Sequence, residues 1–115
     1  MRGSVTLQAN VDVPRDSRWI DSKLRGWITA EGEGGLYSRQ EPVSCELRAE
    51  IIHGRVSKWL APEAAVWVYD KDGRYLGSAY MRAVDSFLVS HATPPGKRVT
   101  LSASGRMEGL FYYSD

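Results

Sequence analysis

The sequence predicts an all-β fold, an antiparallel β-sandwich of about eight strands with little helix. Three observations carry that expectation. Apolar and polar residues alternate strictly over residues 5–13 and again over 43–51, the pattern of strands with one buried and one wet face. Two runs rich in β-branched and aromatic residues, Val66-Trp67-Val68-Tyr69 and Tyr75-Leu76-Gly77, flank the Asp/Gly turn Asp70-Lys71-Asp72-Gly73-Arg74, which reads as a β-hairpin. Turn signals recur about every 8 to 12 residues along the chain. Residues 43–52 could form one or two turns of helix on propensity, but a period of two describes them better than a period of 3.6.

The elements follow in order. Val5, Leu7, Ala9, Val11 and Val13 alternate with Thr6, Gln8, Asn10 and Asp12 until Pro14 ends the strand. Residues 14–22 are polar apart from Trp19-Ile20, and a second strand resumes over 23–30 around Leu24, Trp27 and Ile28. Glu31-Gly32-Glu33-Gly34-Gly35 has nothing to pack and much backbone freedom, so a mobile loop tip is expected. Val43, Cys45, Leu47, Ala49 and Ile51 then face inward. Gly54 interrupts, residues 56–60 form a short strand, and Ala61-Pro62-Glu63 turns into the hairpin, whose second arm extends through residues 79–81. A strand over 84–91 follows, with Phe87-Leu88-Val89 apolar on both sides. Thr93-Pro94-Pro95-Gly96 is a turn, because two prolines cannot join a central ladder. Two last strands are expected over 97–103 and 107–113.

In the hairpin, a three-residue loop Lys71-Asp72-Gly73, with Gly73 in the left-handed conformation, makes Asp70 face Arg74. Tyr69 then opposes Tyr75, Val68 opposes Leu76, and Trp67 opposes Gly77, which leaves room for the indole. One face carries Trp67, Tyr69 and Tyr75, and the other carries Val66, Val68 and Leu76. Both are largely apolar, so the pair is either covered on both sides or shows an aromatic strip to a partner.

The bulk numbers exclude several classes. At 115 residues the chain fits one domain with an ordinary core. Lys and Arg number 15 against 14 Asp and Glu, interspersed rather than striped, so the footprint of a nucleic-acid binder is missing and no nucleic acid is expected. No apolar run reaches the roughly 18 residues of a membrane helix, and no signal-peptide apolar region follows the start. Met1-Arg2-Gly3-Ser4 also reads as the opening of an expression tag. The single cysteine, Cys45, lacks an intrachain partner and sits on the apolar side of its strand, as a small buried hydrophobe does. Absence of disulfides suits a reducing compartment without requiring one, and localisation stays open.

The run Ile52-His53-Gly54-Arg55-Val56, the hairpin Val66-Trp67-Val68-Tyr69-Asp70-Lys71-Asp72-Gly73-Arg74-Tyr75-Leu76-Gly77 and the turn Pro95-Gly96 before the last strands resemble the FxLYD-type immunoglobulin-like domains of bacterial envelope proteins. The resemblance covers residues 50–105. Ser57 stands where that family usually has Asn, Val66 stands where the motif's first Phe would be, and the first 50 residues find no counterpart. It implies an immunoglobulin-like, non-enzymatic, extracytoplasmic module and names no ligand.

Candidate chemistry is sparse. Asp70, Asp72 and Gly73 look like the opening of a calcium loop, but Arg74-Tyr75-Leu76 supplies none of the further oxygen ligands, so a plain turn is expected and no metal. His53 and His91 could serve as a general base beside a carboxylate, Glu50 being near His53 in sequence, yet no nucleophile elbow accompanies them. Gly96-Lys97 lacks the glycine spacing and the Ser/Thr of a phosphate loop. No cofactor is expected. The aromatic residues carry most weight: Trp19, Trp27, Trp59 and Trp67, six tyrosines and two phenylalanines. Each Trp is expected to fill the core, as large aromatics commonly do, with at least one reaching the surface. The reading that follows is a non-catalytic recognition or accessory module for a protein or carbohydrate partner, with Trp67, Tyr69 and Tyr75 as its ligand-binding strip. A homo-oligomeric structural protein such as a phage or pilus component is the alternative, and a small β-fold enzyme using His53 or His91 is the third reading.

Overall fold

A computed structural model describes residues 1–114 and is all-β. Its strands are β1 (Arg2–Asp12), β2 (Trp19–Ile28), β3 (Tyr37–Ser38), β4 (Glu41–Glu50), β5 (Arg55–Leu60), β6 (Glu63–Tyr69), β7 (Tyr75–Ala83), β8 (Phe87–Ala92) and β9 (Arg98–Tyr113). Seven form one antiparallel sheet in the order β3-β6-β7-β9-β1-β2-β4, and β5 and β8 form a separate two-stranded ribbon. The one helical element among the described residues is a 3₁₀ turn at Glu33–Gly35.

The large sheet curls almost into a barrel. Past the end of β2, Glu31 bridges both Arg2 of β1 and Tyr37 of β3. Its amide donates to the Arg2 carbonyl at 2.9 Å, and the Arg2 amide donates to the Glu31 carbonyl at 2.8 Å. One residue further back, the Ala30 amide donates to Ser38 Oγ at 2.7 Å and the Ser38 amide to the Ala30 carbonyl at 2.8 Å. The segment 31–35, expected as a mobile loop tip, is therefore tied into the ladder at its first residue and at Gly32, whose amide donates to the Leu36 carbonyl. Backbone pairing wins over the flexibility its glycines suggest, because a sheet edge left open costs unpaired amides.

Inside the curl lies one aliphatic core. The inward positions of β1 (Val5, Leu7, Val11), β2 (Ile20, Leu24, Ile28), β4 (Val43, Leu47, Ala49) and β9 (Leu101, Ala103, Met107) belong to the same buried cluster as Val66, Val68, Ala79 and Met81 of the hairpin. In a molecule measuring 53 × 20 × 20 Å, the β5–β8 ribbon packs on β9 through β8 and on β4 through β5. Val56, Leu60, Phe87 and Val89 are its buried side, so Phe87 and Val89 point inward while Leu88 is exposed.

Three sequence expectations are corrected. The strands expected over 97–103 and 107–113 are one continuous strand, β9. Gly105, in the expected gap between them, serves packing: a Cβ there would run into the ring of Phe87. The second strand begins at Trp19 rather than residue 23, which places Ile20 in the core and Trp27 outside. The hairpin opens as expected, with Tyr69 opposite Tyr75 and Gly73 at φ 81°. A bulge between Val68 and Tyr69 then shifts the register, so Val68 faces Gly77 and Trp67 faces Ser78. Gly77 does not cradle the indole. A Cβ at that residue would meet the carbonyl of Tyr112, so it is glycine because β9 passes against it. Met1-Arg2-Gly3-Ser4, tag-like in sequence, pairs with β9 from Gly109 to Arg106.

Candidate functional site

The largest discrepancy between sequence and structure concerns the tryptophans, expected to fill the core. Trp19, Trp27, Trp59 and Trp67 are 50, 59, 62 and 53% exposed. Strand phase explains it. Each is followed on its strand by a buried aliphatic residue, Ile20, Ile28, Leu60 and Val68 respectively, which sets the tryptophan outward, and inverting one side chain would turn its whole strand over.

On β6 and β7 the outward positions converge. Trp67 and Tyr75 meet edge to face with ring centroids 5.9 Å apart, and Tyr75 meets Tyr69 at 5.9 Å in the same way. The turn sets Tyr75 on this face, opposite Tyr69 and beside Trp67. Tyr69 in turn stacks on Tyr37 of β3 at 5.8 Å, and the Arg39 guanidinium lies 4.3 Å above the Tyr69 ring. Tyr37 and Arg39 were invisible as site members in the sequence, because the two-residue strand that carries Tyr37, with Arg39 just after it, has no periodic signal. Trp67 and Tyr75 are exposed, while Tyr69 and Tyr37 are half-buried.

The turn below the strip is held by its own acid. Asp70 Oδ1 accepts from the amides of Asp72 and Arg74, both at 2.9 Å, and the Asp70 amide donates to the Arg74 carbonyl at 2.9 Å. That explains the aspartate at position 70 as an Asx-type turn. Among the described residues no three His, Cys, Asp or Glu side chains gather as metal ligands.

His53 and His91 do not form a site either. His53 and Gly54 both have positive φ, 52° and 71°, and make the two-residue turn between the bridged pair Ile52 and Arg55. His91 faces Val56 across the ribbon, and its Nδ1 lies 2.6 Å from the Ala92 carbonyl. No carboxylate hydrogen-bonds either imidazole among the described residues. Cys45 is on the inner side of β4 but only half-buried. Burial, then the neighbouring Glu46 charge, pushes its thiol pKa up.

Further along the outer face, Tyr80 of β7 donates to Glu63 Oε2 at 2.5 Å, and Glu63 Oε1 sits 3.7 Å from Arg82 Nε. The hydrogen bond to Glu63 holds the Tyr80 hydroxyl pKa above the ordinary tyrosine value. Tyr80 faces Leu110 of β9, and Tyr112 faces Ser78. Leu110 and Tyr112 are 72 and 64% exposed, so the outer surface of β6, β7 and β9 is apolar well beyond the hairpin. No helix is long and apolar enough to cross a membrane among the described residues. No family model matches the sequence, and no curated protein or solved structure matches it.

Proposed function

We propose that this chain is a non-catalytic recognition module that binds a protein or glycan partner through the strip Trp67, Tyr75 and Tyr69, extended by Tyr37 and Arg39. The observation that supports it is an aromatic cluster held rigid by ring-to-ring contacts on the outer side of a sheet whose inner side already supplies the core. Trp67 and Tyr75, both exposed, add little to the fold by burial, and an exposed aromatic patch marks a contact surface. The rings of Trp67 and Tyr69 each stand at 65° to Tyr75. A surface so corrugated favours the apolar patch of a protein over the flat face of a sugar, which stacks best on coplanar rings.

The finer fold reading belongs to the same proposal. The β5–β8 ribbon over β9 acts as the second layer of an immunoglobulin-like sandwich, supported by Phe87 seated on Gly105. With the FxLYD-type resemblance of residues 50–105, this makes the module a bacterial, extracytoplasmic one. A homo-oligomeric structural role draws on Leu110 and Tyr112, which continue the apolar face to β9. The test is capture of partners from source cells, beside a glycan array, with the parent protein and with Trp67→Ala and Tyr69→Ala. Capture should be lost in the variants while their thermal unfolding changes by about 1 kcal/mol or less, the worth of an exposed aromatic pair. Binding that survives both substitutions refutes the strip as the site. Light scattering that showed an oligomer at every concentration would favour the structural role.

A further inference from the structure

β4 ends the order of the seven-stranded sheet: it pairs with β2 from Glu41 to Glu50 without a bulge, and no strand pairs with its other side among the described residues. In an antiparallel strand the N–H and C=O of one residue point the same way, and successive residues alternate. The Ile51 amide donates to the Arg18 carbonyl, in register with Glu50 opposite Trp19, so the odd-numbered residues of β4 bond to β2. Ser44, Glu46, Arg48 and Glu50 therefore turn their backbone groups to the open edge, and no backbone hydrogen bond reaches them there among the described residues. Pro42 fits the same phase, since its missing N–H falls on the open side, where an edge strand admits proline. The ribbon does not seal this edge. β5 leaves β4 after the bridge between Ile52 and Arg55 and pairs with β8 instead. Two residues in inward phase beside the seam still reach solvent: Cys45 on β4 is half-buried and Lys58 on β5 is exposed.

We propose that two copies of this chain dimerise by pairing their β4 edges antiparallel about a two-fold axis at Leu47, so that the sheet runs on from β2 and β4 into the partner. The occupant is a second copy because the strand complements itself in one register. Open-edge groups meet only where both residues of an opposed pair belong to the even-numbered set. With the axis at Leu47, Glu46 faces the partner's Arg48, Arg48 faces the partner's Glu46, and Ser44 faces the partner's Glu50. Moving the axis to Glu46 or to Arg48 sets that residue against its own copy, and like charges directly opposite are destabilising. β2 extends the favourable pattern, since Lys23 lies opposite Glu46 and Asp21 opposite Arg48. Charge then alternates across the joined sheets through Lys23, Glu46, the partner's Arg48 and the partner's Asp21. On the inner side Cys45 is covered by the partner's Ala49. The opposed pairs exchange about eight backbone hydrogen bonds. Both copies spend their free edge on the axis, so the assembly closes at two. The dimer does not rest on the Trp67 strip.

The test is sedimentation equilibrium of the full chain at low ionic strength, from micromolar to millimolar protein, beside amide exchange over the same range. A monomer–dimer equilibrium with no larger species is expected. Exchange at Ser44, Glu46 and Arg48 should slow as concentration rises, while Val43, Cys45 and Leu47, already bonded to β2, change little. Glu46→Arg and Arg48→Glu, both at exposed positions, each oppose like charges in both symmetric pairs and should weaken self-association about tenfold or more. An equimolar mixture of the two variants opposes arginine to glutamate again, and should form a heterodimer as tightly as the parent chain pairs with itself. That rescue also shows that both variants fold. A monomer at every concentration, a dimer indifferent to both charge reversals, or a mixture that associates no better than either variant alone would each overturn the proposal.

Discussion

Phe87 and Trp67 are both large aromatic residues on strands, and the molecule treats them oppositely. Phe87 is fully buried beneath the ribbon, with its ring in the hollow that Gly105 leaves in β9. Trp67 lies half in water, while the valines on either side of it fill the core. Side-chain hydrophobicity alone would order them the other way, since Trp offers more apolar surface to bury. Position in the strand decides instead: Phe87 and the aliphatic residues hold inward places, and the tryptophans hold outward ones.

The sharpest way to break that contrast is to truncate both residues. Phe87→Ala should cost about 3–5 kcal/mol in urea unfolding, because the surrounding strands cannot collapse into the space. Trp67→Ala should cost far less, as already stated for the strip. Equal losses would mean that Trp67 carries packing unseen in the structure. Next in size is Gly105→Ala. The added methyl meets the Phe87 ring, and over-packing of this kind costs about 1–3 kcal/mol. Combined with Phe87→Ala the penalty should largely vanish, since the ring that clashes has gone; additive losses would place the strain elsewhere.

A smaller effect probes the half-buried inner edge. Cys45 has its pKa raised by burial and by Glu46, so its thiol stays protonated at neutral pH. Its alkylation by iodoacetamide in the native state should be slower than in the unfolded chain and should accelerate as pH rises past the ordinary cysteine value. A native rate equal to the unfolded one would show Cys45 to be solvated.

The same contrast shows which parts of the fold are legible in the sequence. Val5 to Val13 and Val43 to Ala49 declare their phase because polar residues occupy every second place, and the hairpin declares its turn through Asp70 and Gly73. Phase is hidden where both faces are apolar. For Phe87-Leu88-Val89 only the ribbon's docking assigns Leu88 to solvent, and for Trp67 only the valines at 66 and 68 do. Glycine misleads for a physical reason as well. Gly77 reads as a cradle for an indole, and Gly105 falls in the gap expected between two strands, yet both are glycine where another group passes in the place of a Cβ. The turn already sets Tyr75 on the face of Trp67 and Tyr69, but the bulge between Val68 and Tyr69 and the two-residue strand that adds Tyr37 depend on tertiary pairing and leave no periodic trace.

The most direct test of the account is the intrinsic tryptophan fluorescence of the native protein with iodide as quencher. All four indoles are at least half exposed. Native emission should therefore be red-shifted, close to that of the urea-unfolded chain, and iodide should quench it in a single accessible class. A blue-shifted, iodide-resistant component amounting to one tryptophan or more would place an indole in the core and contradict the account that strand phase keeps all four tryptophans outside it.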